Sequence, residues 1–339
     1  TYGNFVLEFE KKIARFIKSK FCTATINGTS ALHLALLSLD VGKRDEVLIP
    51  SVSFIAAANS ISYCGATPYF IDSELETFGV DIKKLEEFLK KNTKLVNGKC
   101  FNKKTGKQIK AIIAVHVFGL SMKIRELIKL AKKYRIFVVE DAAEALGSYN
   151  SKKHLGTFGD IGVLSFNGNK IITTGGGGAI VTKKRKLADR IKRLSTVNKK
   201  DNTWNYDYHN VGFNYRMPSL NAALGLAQLK KLKKFLRKKR NIHKKLQNSL
   251  KKIKYVKVIK EMKNTKSNYW LLSLQISQMK DKDKKKLIDE LRENNILCRP
   301  IWLNIDKLPF YKNCPKTNLF NARKIEKEVI TLPSSFFLF

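Results

Sequence analysis

Lys170 stands just ahead of four consecutive glycines and between two apolar runs, in the stretch "SFNGNKIITTGGGGAIVT" from Ser165 to Thr182. A lysine that binds nucleotide phosphates sits inside the pattern GxxxxGK[ST], where the glycine loop opens directly into a helix. Here the lysine precedes the glycines and a second strand-like run follows them, so the stretch is not a phosphate loop of that type. Burial lowers the pKa of a lysine, and the free amine then forms a Schiff base with an aldehyde.

Two other short stretches carry groups that bind ligands. Asp141 ends the apolar run in "IFVVEDAAEALGS", and a buried carboxylate is costly unless a salt bridge or a bound cofactor neutralises it. The stretch "NGTSALHL" places Gly28, Thr29 and Ser30 at the start of a helix, where backbone N–H groups and two hydroxyl groups can bind a phosphate. Each stretch alone also fits a plain structural role, as a salt bridge or as a helix cap.

Taken together, these groups match the needs of one cofactor. Pyridoxal phosphate requires an amine for its aldehyde, a carboxylate that keeps its ring nitrogen protonated and a helix start for its phosphate. Lys170, Asp141 and the turn from Gly28 to Ser30 supply that set. The glycines after Lys170 lack Cβ atoms, so we expect the hairpin to bend sharply and to leave room beside the cofactor.

Helices and strands alternate through most of the chain, which is typical of βαβ units. The strand-like runs lack polar alternation, so both faces of the sheet should be covered, and we predict an α/β fold with a mostly parallel sheet and helices on both faces. A long helix is predicted from about Leu220, followed by a strand, a helix and a strand. We place a domain boundary there, which gives a large domain over 1–218 and a smaller α+β domain over 219–339. Residues 97–108 are predicted to form an exposed loop.

The formal net charge of +38 over 339 residues raises the question of a nucleic-acid partner. The excess is mostly lysine, spread over nearly every predicted helix, and no zinc-finger, helix-turn-helix or RNA-binding motif accompanies it. A solvated basic surface explains this charge more simply, and its field would also attract an anionic small substrate. A basic nucleic-acid-binding protein stays open as the alternative, and it would bind DNA or RNA with a steep salt dependence.

The five cysteines are odd in number and include no CxxC pair, which argues against a disulfide framework and against a structural zinc site. A segment that crosses a bilayer needs about 18 apolar residues, and no apolar run is that long. The first residues lack a signal-peptide pattern. We therefore expect a cytoplasmic protein without a membrane partner or a metal.

Several motifs resemble those of one enzyme family, the sugar aminotransferases of the DegT/DnrJ/EryC1/StrS type within the fold-type I pyridoxal phosphate enzymes. The motifs are "NGTSALHLAL", "GATPYFID", "EDAAEALGS", "SFNGNK", "GGGGAIVT" and "GFNYRMPSLNAALGLAQL", and the resemblance extends from the first residue to about Ser335. The sequence around "EDAAEALGS" and "GFNYRMPSLNAALG" is most similar to the branch of the family that aminates C4 of UDP-linked 4-keto-6-deoxy amino sugars, on routes to legionaminic acid or bacillosamine.

The resemblance implies roles around the cofactor. It makes Lys170 the Schiff-base lysine and Asp141 the partner of the pyridinium nitrogen. Phe54 falls where the family stacks a flat side chain on the ring, although a core phenylalanine would look the same in sequence. The implied phosphate-binding residues are Gly28, Thr29, Ser30 and Ser165.

Further roles are implied at the substrate side. Asn214 falls where a neighbouring subunit reaches the phosphate, so the resemblance implies a homodimer with shared active sites. Glu144 occupies a position near the phenolic oxygen of the cofactor that other members fill with Gln or His, and it is also a candidate sugar contact. Arg216 and His116 are candidate substrate contacts as well, each with a structural role as the alternative.

The activity implied is the transfer of an amino group from L-glutamate to a nucleotide-linked 4-keto sugar, for surface polysaccharide or glycan biosynthesis. Lys170 would move the proton in both half-reactions. A dehydratase of the same family carries histidine in place of this lysine, so Lys170 argues against that activity. The chain begins inside what is normally a longer amino-terminal region, so an inactive or regulatory homologue is another alternative. Asp306 stands where many relatives carry His, which leaves sugar contacts there undefined.

Overall fold

A large mixed sheet forms the centre of the molecule in the computed structural model, which describes residues 4–200 and 207–335. The described strands are β1 (Phe21–Thr25), β2 (Asp45–Pro50), β3 (Thr67–Ile71), β4 (Thr93–Val96), β5 (Lys99–Asn102), β6 (Gln108–Val115), β7 (Phe137–Asp141), β8 (Tyr149–Asn150), β9 (Lys153–His154), β10 (Ile161–Ser165), β11 (Gly178–Thr182), β12 (Val256–Val258), β13 (Thr265–Lys266), β14 (Leu272–Ile276), β15 (Arg299–Pro300) and β16 (Val329–Leu332).

The described helices lie mostly between these strands, as the alternating pattern predicts. They are α1 (Asn4–Ile17), α2 (Gly28–Ser38), α3 (Ile55–Tyr63), α4 (Ile82–Asn92), α5 (Ile124–Lys133), α6 (Arg185–Ser195), α7 (Ser219–Leu250), α8 (Asp281–Glu293) and α9 (Phe320–Glu328). The predicted long helix is confirmed as α7, with 32 residues. No helix in the described ranges is long and apolar enough to cross a membrane.

The large sheet has the order β1-β11-β10-β7-β6-β2-β3, with β5 and β4 continuing from β6. Its centre, from β3 to β10, is parallel, whereas β11 and the β4–β5 hairpin pair antiparallel with their neighbours. Strands β2, β10 and β11 are buried at every position, so side chains on both faces of the sheet are covered. The predicted α/β fold is thus confirmed. The expectation of an exposed loop over 97–108 is wrong, because β5 lies inside that range.

The carboxyl ends of β1, β2, β6, β7 and β10 meet at one edge of the large sheet, because these strands run in the same direction. In α/β sheets that edge is where ligands bind. Gly28, Phe54, Asp141 and Ser165 all lie at or just after the ends of these strands.

Residues beyond α7 build a second, smaller sheet with the order β12-β14-β16-β15. Strand β13 pairs with β8, and Phe70 of β3 exchanges backbone hydrogen bonds with Pro315 and Thr317, each 2.9 Å long. The carboxyl-terminal part therefore returns to the large sheet at two places. The division into 1–218 and 219–339 stays a prediction.

Candidate active site

A cavity of about 710 Å³ opens at the carboxyl edge of the large sheet. The wall on one side comes from the strand ends and the start of α2, and the opposite wall comes from residues beyond 269. The sequence-predicted residues that line it are Gly28, Thr29, Phe54, Asp141, Glu144, Ser165 and Lys170. Those that do not line it are Ser30, His116, Asn214 and Arg216.

Lys170 lies in the connection between β10 and β11, with its amine inside the cavity. Its Nζ atom donates a hydrogen bond of 3.3 Å to Oε1 of Glu144 and lies 3.8 Å from the centroid of the Trp270 ring. The side chain is 13% exposed, so the amine is largely shielded from water while still facing the cavity.

The glycine run lets this connection pack against the turn that precedes α2. A Cβ atom on Gly178 would lie 2.5 Å from the backbone oxygen of Asn27, a distance that real Cβ atoms do not reach. Gly175 adopts a φ of +79°, which favours glycine. These glycines therefore bring the Lys170 segment and the start of α2 together.

Asp141 ends β7 as a buried carboxylate that faces the cavity. Its Oδ1 atom accepts a hydrogen bond of 3.1 Å from the Ala143 N–H group, and its second oxygen has no partner in residues 4–200 and 207–335. Burial raises the pKa of Asp141, although the Ala143 N–H group and the charges of Lys170 and His116 oppose that rise. A protonated ring nitrogen beside the free oxygen would supply the missing cationic partner.

Glu144 lies one turn beyond Asp141 and contacts the Lys170 amine. Burial raises the pKa of Glu144 to about 7, against the lowering effect of Lys170 and of the Phe118 N–H group, which donates a bond of 2.8 Å. The nearby charge of Asp141 also raises this pKa. Glu144 is therefore poised to gain or lose a proton near neutral pH.

The start of α2 faces the cavity with free backbone N–H groups. Asn27 caps the helix, since its Oδ1 atom accepts a bond of 2.8 Å from the Ser30 N–H group, whereas the Gly28 and Thr29 N–H groups have no place in the intrahelical ladder. A Cβ atom on Gly28 would lie 3.2 Å from Oγ of Ser165. The two amides and the Ser165 hydroxyl thus form an open anion cradle.

The residues present fit pyridoxal phosphate. The cavity holds an amine at Lys170, a buried carboxylate with a free oxygen at Asp141 and the anion cradle at the start of α2. Phe54, which is 53% exposed, lies on the cavity wall where it can contact a flat ring. Lys170 would hold the aldehyde carbon, Asp141 the ring nitrogen and the anion cradle the phosphate.

His116 is fully buried behind the cavity. Its Nε2 atom pairs with Oε2 of Glu140 at 3.0 Å, and its Nδ1 atom has no partner in the described residues. Burial raises the pKa of Glu140, but the bonds from His116 and from the Gly159 and Gly156 N–H groups outweigh it and leave that pKa below its ordinary value. This pair supports the ends of β6 and β7, and His116 does not reach the cavity surface.

Asn214 and Arg216 lie on the outer surface of the molecule, away from the cavity of their own chain. Both are exposed, and Nε of Arg216 donates a bond of 3.2 Å to Oδ1 of Asn214. Their backbones form isolated bridges with Thr196 and Thr25, which fix the position of this segment.

The sequence patterns did not identify several residues that line the cavity. These residues come from the carboxyl-terminal part, far from Lys170 in the sequence. Nε1–H of Trp270 donates a bond of 2.7 Å to the backbone oxygen of Asn169, next to Lys170. Trp302 and the exposed side chain of Arg299 also line the cavity. The aromatic positions in "YWLLSLQI" and "RPIW" were the available signal, but they read equally well as strand residues.

Asp306 has no place in the cavity. It is 2% exposed and is held by Arg323, Lys316 and the Ser51 hydroxyl, the last at 2.7 Å. Burial raises the pKa of Asp306, but these partners outweigh it and lower the pKa overall. Asp306 therefore ties the carboxyl-terminal part to the end of β2.

Known proteins are similar to this chain in sequence and in fold. The chain matches the DegT/DnrJ/EryC1/StrS aminotransferase family over residues 1–338. It is 37% identical to the GDP-perosamine synthase of Escherichia coli O157:H7, over 91% of this chain and 79% of that protein. It is 32% identical to the UDP-4-amino-4,6-dideoxy-N-acetyl-beta-L-altrosamine transaminase of Campylobacter jejuni, over 98% of this chain and 85% of that protein.

A solved structure agrees with these matches. Helicobacter pylori PseC, an aminotransferase involved in the biosynthesis of pseudoaminic acid, superposes with a TM-score of 0.88 at 26% identity and covers 100% of this chain and 88% of its own. The family match, the identities and the fold agree on one conclusion. The chain belongs to the DegT/DnrJ/EryC1/StrS aminotransferase family and is a sugar aminotransferase whose cofactor is pyridoxal phosphate.

Proposed function

We propose that this enzyme transfers the amino group of L-glutamate to the 4-keto group of a nucleotide-linked 4-keto-6-deoxy sugar, for the biosynthesis of a surface polysaccharide or glycan. One observation carries the proposal: the Lys170 amine lies in the same cavity as the free oxygen of Asp141 and the anion cradle of α2. The relatives named for GDP-linked and UDP-linked amino sugars support a nucleotide-linked substrate.

Lys170 is proposed to move the reacting proton. When bound, pyridoxal phosphate supplies an aldehyde that condenses with amines and a protonated ring that accepts negative charge from the neighbouring carbon. The Nζ atom of Lys170 would take the proton from Cα of the amino donor and pass it to the cofactor carbon that carried the aldehyde. In the second half-reaction Nζ would move a proton from that carbon to C4 of the sugar. The walls around Nζ, above all Trp270, keep bulk water away from this proton.

Asp141 and Glu144 are proposed to set the protonation of the site. Asp141 holds the proton on the ring nitrogen through its free oxygen, and that charge-assisted hydrogen bond replaces the solvation it lost on burial. Glu144 contacts Lys170 at 3.3 Å and has a pKa of about 7, so it can take up or release a proton beside the amine near neutral pH. The two carboxylates thus have separate tasks.

The phosphate is proposed to lie in the cradle formed by Gly28, Thr29 and Ser165. Two N–H groups at a helix start and one hydroxyl suit an anion, because the helix dipole adds to their hydrogen bonds. Ser30 strengthens the cradle indirectly, since its N–H group fixes the Asn27 cap.

We propose a homodimer in which Asn214 and Arg216 of one subunit complete the site of the other. Both side chains face outwards, and exposed apolar side chains flank them in the chain, with Val211 76% and Leu220 82% exposed. Such apolar exposure is typical of a surface that a partner covers.

A substrate screen tests the proposal. The holoenzyme is first mixed with L-glutamate, and loss of its yellow colour reports the first half-reaction. GDP-, UDP- and dTDP-linked 4-keto-6-deoxy sugars are then added in separate reactions, with the matching 4-hydroxy sugars as controls. We expect a keto sugar to restore the colour and to yield an amino sugar by mass spectrometry. Colour loss with glutamate but no restoration by any of these sugars would contradict the proposed substrate.

A further inference from the structure

A second groove, of about 770 Å³, lies at the opposite end of the parallel strands from the active-site cavity. It runs along the starts of β6, β7 and β10 and along the end of β11, and its floor includes Ile136, Phe137 and Phe158. Phe137 is 37% exposed although it begins a central strand. We call this the amino-edge groove.

The cations of the amino-edge groove far outnumber its carboxylates. Asp160 is the single acidic residue among its described lining residues, and it is already paired with Lys184 at 2.6 Å and with the Val138 N–H group at 2.9 Å. Lys110 pairs with Asp45 outside the groove, at 3.7 Å. Across residues 4–200 and 207–335, no ion pair is made by five lining cations, which are Lys99, Lys132, Arg135, Lys153 and Lys183.

Within this cluster, the charges of Lys153 and Lys183 interact. Both side chains line the groove. Burial lowers the pKa of Lys153, and the charge of Lys183 lowers it further. The Nζ atom of Lys153 also lies 4.2 Å from the centroid of the Phe158 ring, which fixes its direction over the apolar floor. Two ammonium groups held together repel each other, and an anion between them would reverse that repulsion.

We propose that the amino-edge groove binds a small phosphorylated molecule, with its phosphate between Lys153 and Lys183 and its apolar body on the floor at Phe137. A phosphate presents several acceptor oxygens to two lysines at once. A groove of about 770 Å³ with an apolar floor favours a small molecule over a nucleic-acid backbone, which would need a longer basic track. This site is separate from the cavity of the proposed aminotransferase reaction.

Calorimetric titration of the holoenzyme with inorganic pyrophosphate at near-physiological salt tests the proposal. We compare wild type with K153M/K183M and with K251M/K252M, which removes the same charge from two exposed lysines outside the groove. Loss of two charge-assisted contacts should weaken binding by about tenfold or more in K153M/K183M, and the control should stay within about twofold of wild type.

Two further measurements distinguish loss of binding in the groove from misfolding of the variant and from binding in the active-site cavity. Thermal unfolding without pyrophosphate should show K153M/K183M at least as stable as wild type, because the repulsion is gone, and pyrophosphate should stabilise wild type more. A crystal soaked in pyrophosphate should show it between the two Nζ atoms. Equal losses in both double variants, or pyrophosphate bound in the active-site cavity alone, would overturn the proposal. So would single-stranded DNA binding that needs Lys153 and Lys183 without any pyrophosphate binding.

Discussion

The Lys170 amine lies 3.8 Å from the centroid of the Trp270 ring, and the Trp270 indole N–H group donates to the backbone oxygen of the preceding residue, Asn169. One side chain thus positions both the amine and the backbone that carries it. A cation over an indole ring is worth about 0.5–2 kcal/mol. The structure therefore makes Trp270 a positioning residue for the proposed catalytic lysine.

Replacing Trp270 tests this positioning. We expect Trp270→Leu to lower the rate of the glutamate half-reaction by roughly 2- to 30-fold, from the loss of the cation–π energy alone. Trp270→Phe, the matched control, keeps an aromatic face and should fall between wild type and the leucine variant. Single-turnover absorbance measures the rate. Equal rates for all three proteins would show that the ring does not position the amine.

Gly28→Ala should weaken cofactor binding. The new Cβ atom would lie 3.1 Å from Cβ of Ser165, so the anion cradle must widen by a few tenths of an ångström. Such overpacking costs about 1 kcal/mol, or roughly fivefold in the affinity for pyridoxal phosphate measured by absorbance titration. Gly42→Ala is the control, because nothing lies within 4 Å of its Cβ position. Similar affinities for the two variants would argue against phosphate binding at this turn.

The raised pKa of Glu144 makes stability depend on pH. Between its ordinary pKa of 4.5 and its value of about 7 in the folded protein, the folded state holds a proton that the unfolded chain has released. The free energy of unfolding of the cofactor-free protein should therefore fall as the pH rises through this window, by as much as about 3 kcal/mol from this group. Asp141, whose pKa is also raised, adds a fall of the same sign.

Glu144→Gln isolates this contribution. Urea unfolding of the cofactor-free proteins at pH 4.5 and at pH 7.5 should show a clearly smaller loss of stability in the variant, because glutamine does not titrate. Asp141 titrates in both proteins, so the difference between them reports Glu144 together with its coupling to Asp141. An identical pH dependence in the two proteins would mean that Glu144 titrates at its ordinary pKa.

Mixing two impaired variants tests the proposed shared sites. Lys170→Ala removes the amine, and Asn214→Asp places a negative charge against the partner's phosphate, so each protein alone should be strongly impaired. In a mixed dimer one site carries both defects and the other carries neither, so random subunit exchange should restore about one quarter of wild-type activity. A mixture no more active than its components would place Asn214 outside the partner's site.

The large sheet was predictable because short, contiguous stretches of sequence indicate its strands. Uninterrupted apolar runs such as the one that ends at Asp141 indicate buried parallel strands, and the glycines after Lys170 mark a backbone that must pass close to Asn27. The sequence pattern did not predict the hairpin within 93–102, since strands β4 and β5 have four residues each and show no regular apolar alternation.

The far wall of the cavity could not be predicted in the same way. Trp270 reaches Lys170 across 100 positions of sequence, through the return of the carboxyl-terminal part to the large sheet. His116 shows the reverse case, because its place at a strand end suggested the cavity, yet its ring turns to Glu140 in the core. Tertiary packing decides that Trp270 faces the cavity and that His116 does not. A single sequence contains no direct signal of that packing.

We propose that the amine of Lys170, and no other lysine of the chain, bonds covalently to the cofactor. Reducing the holoenzyme with borohydride fixes that bond, and mass spectrometry of its peptides then locates the added phosphopyridoxyl group. We predict one labelled peptide, containing Lys170, and no such label in Lys170→Ala. A label on any other lysine, or an unchanged label in the variant, would contradict the assignment of Lys170.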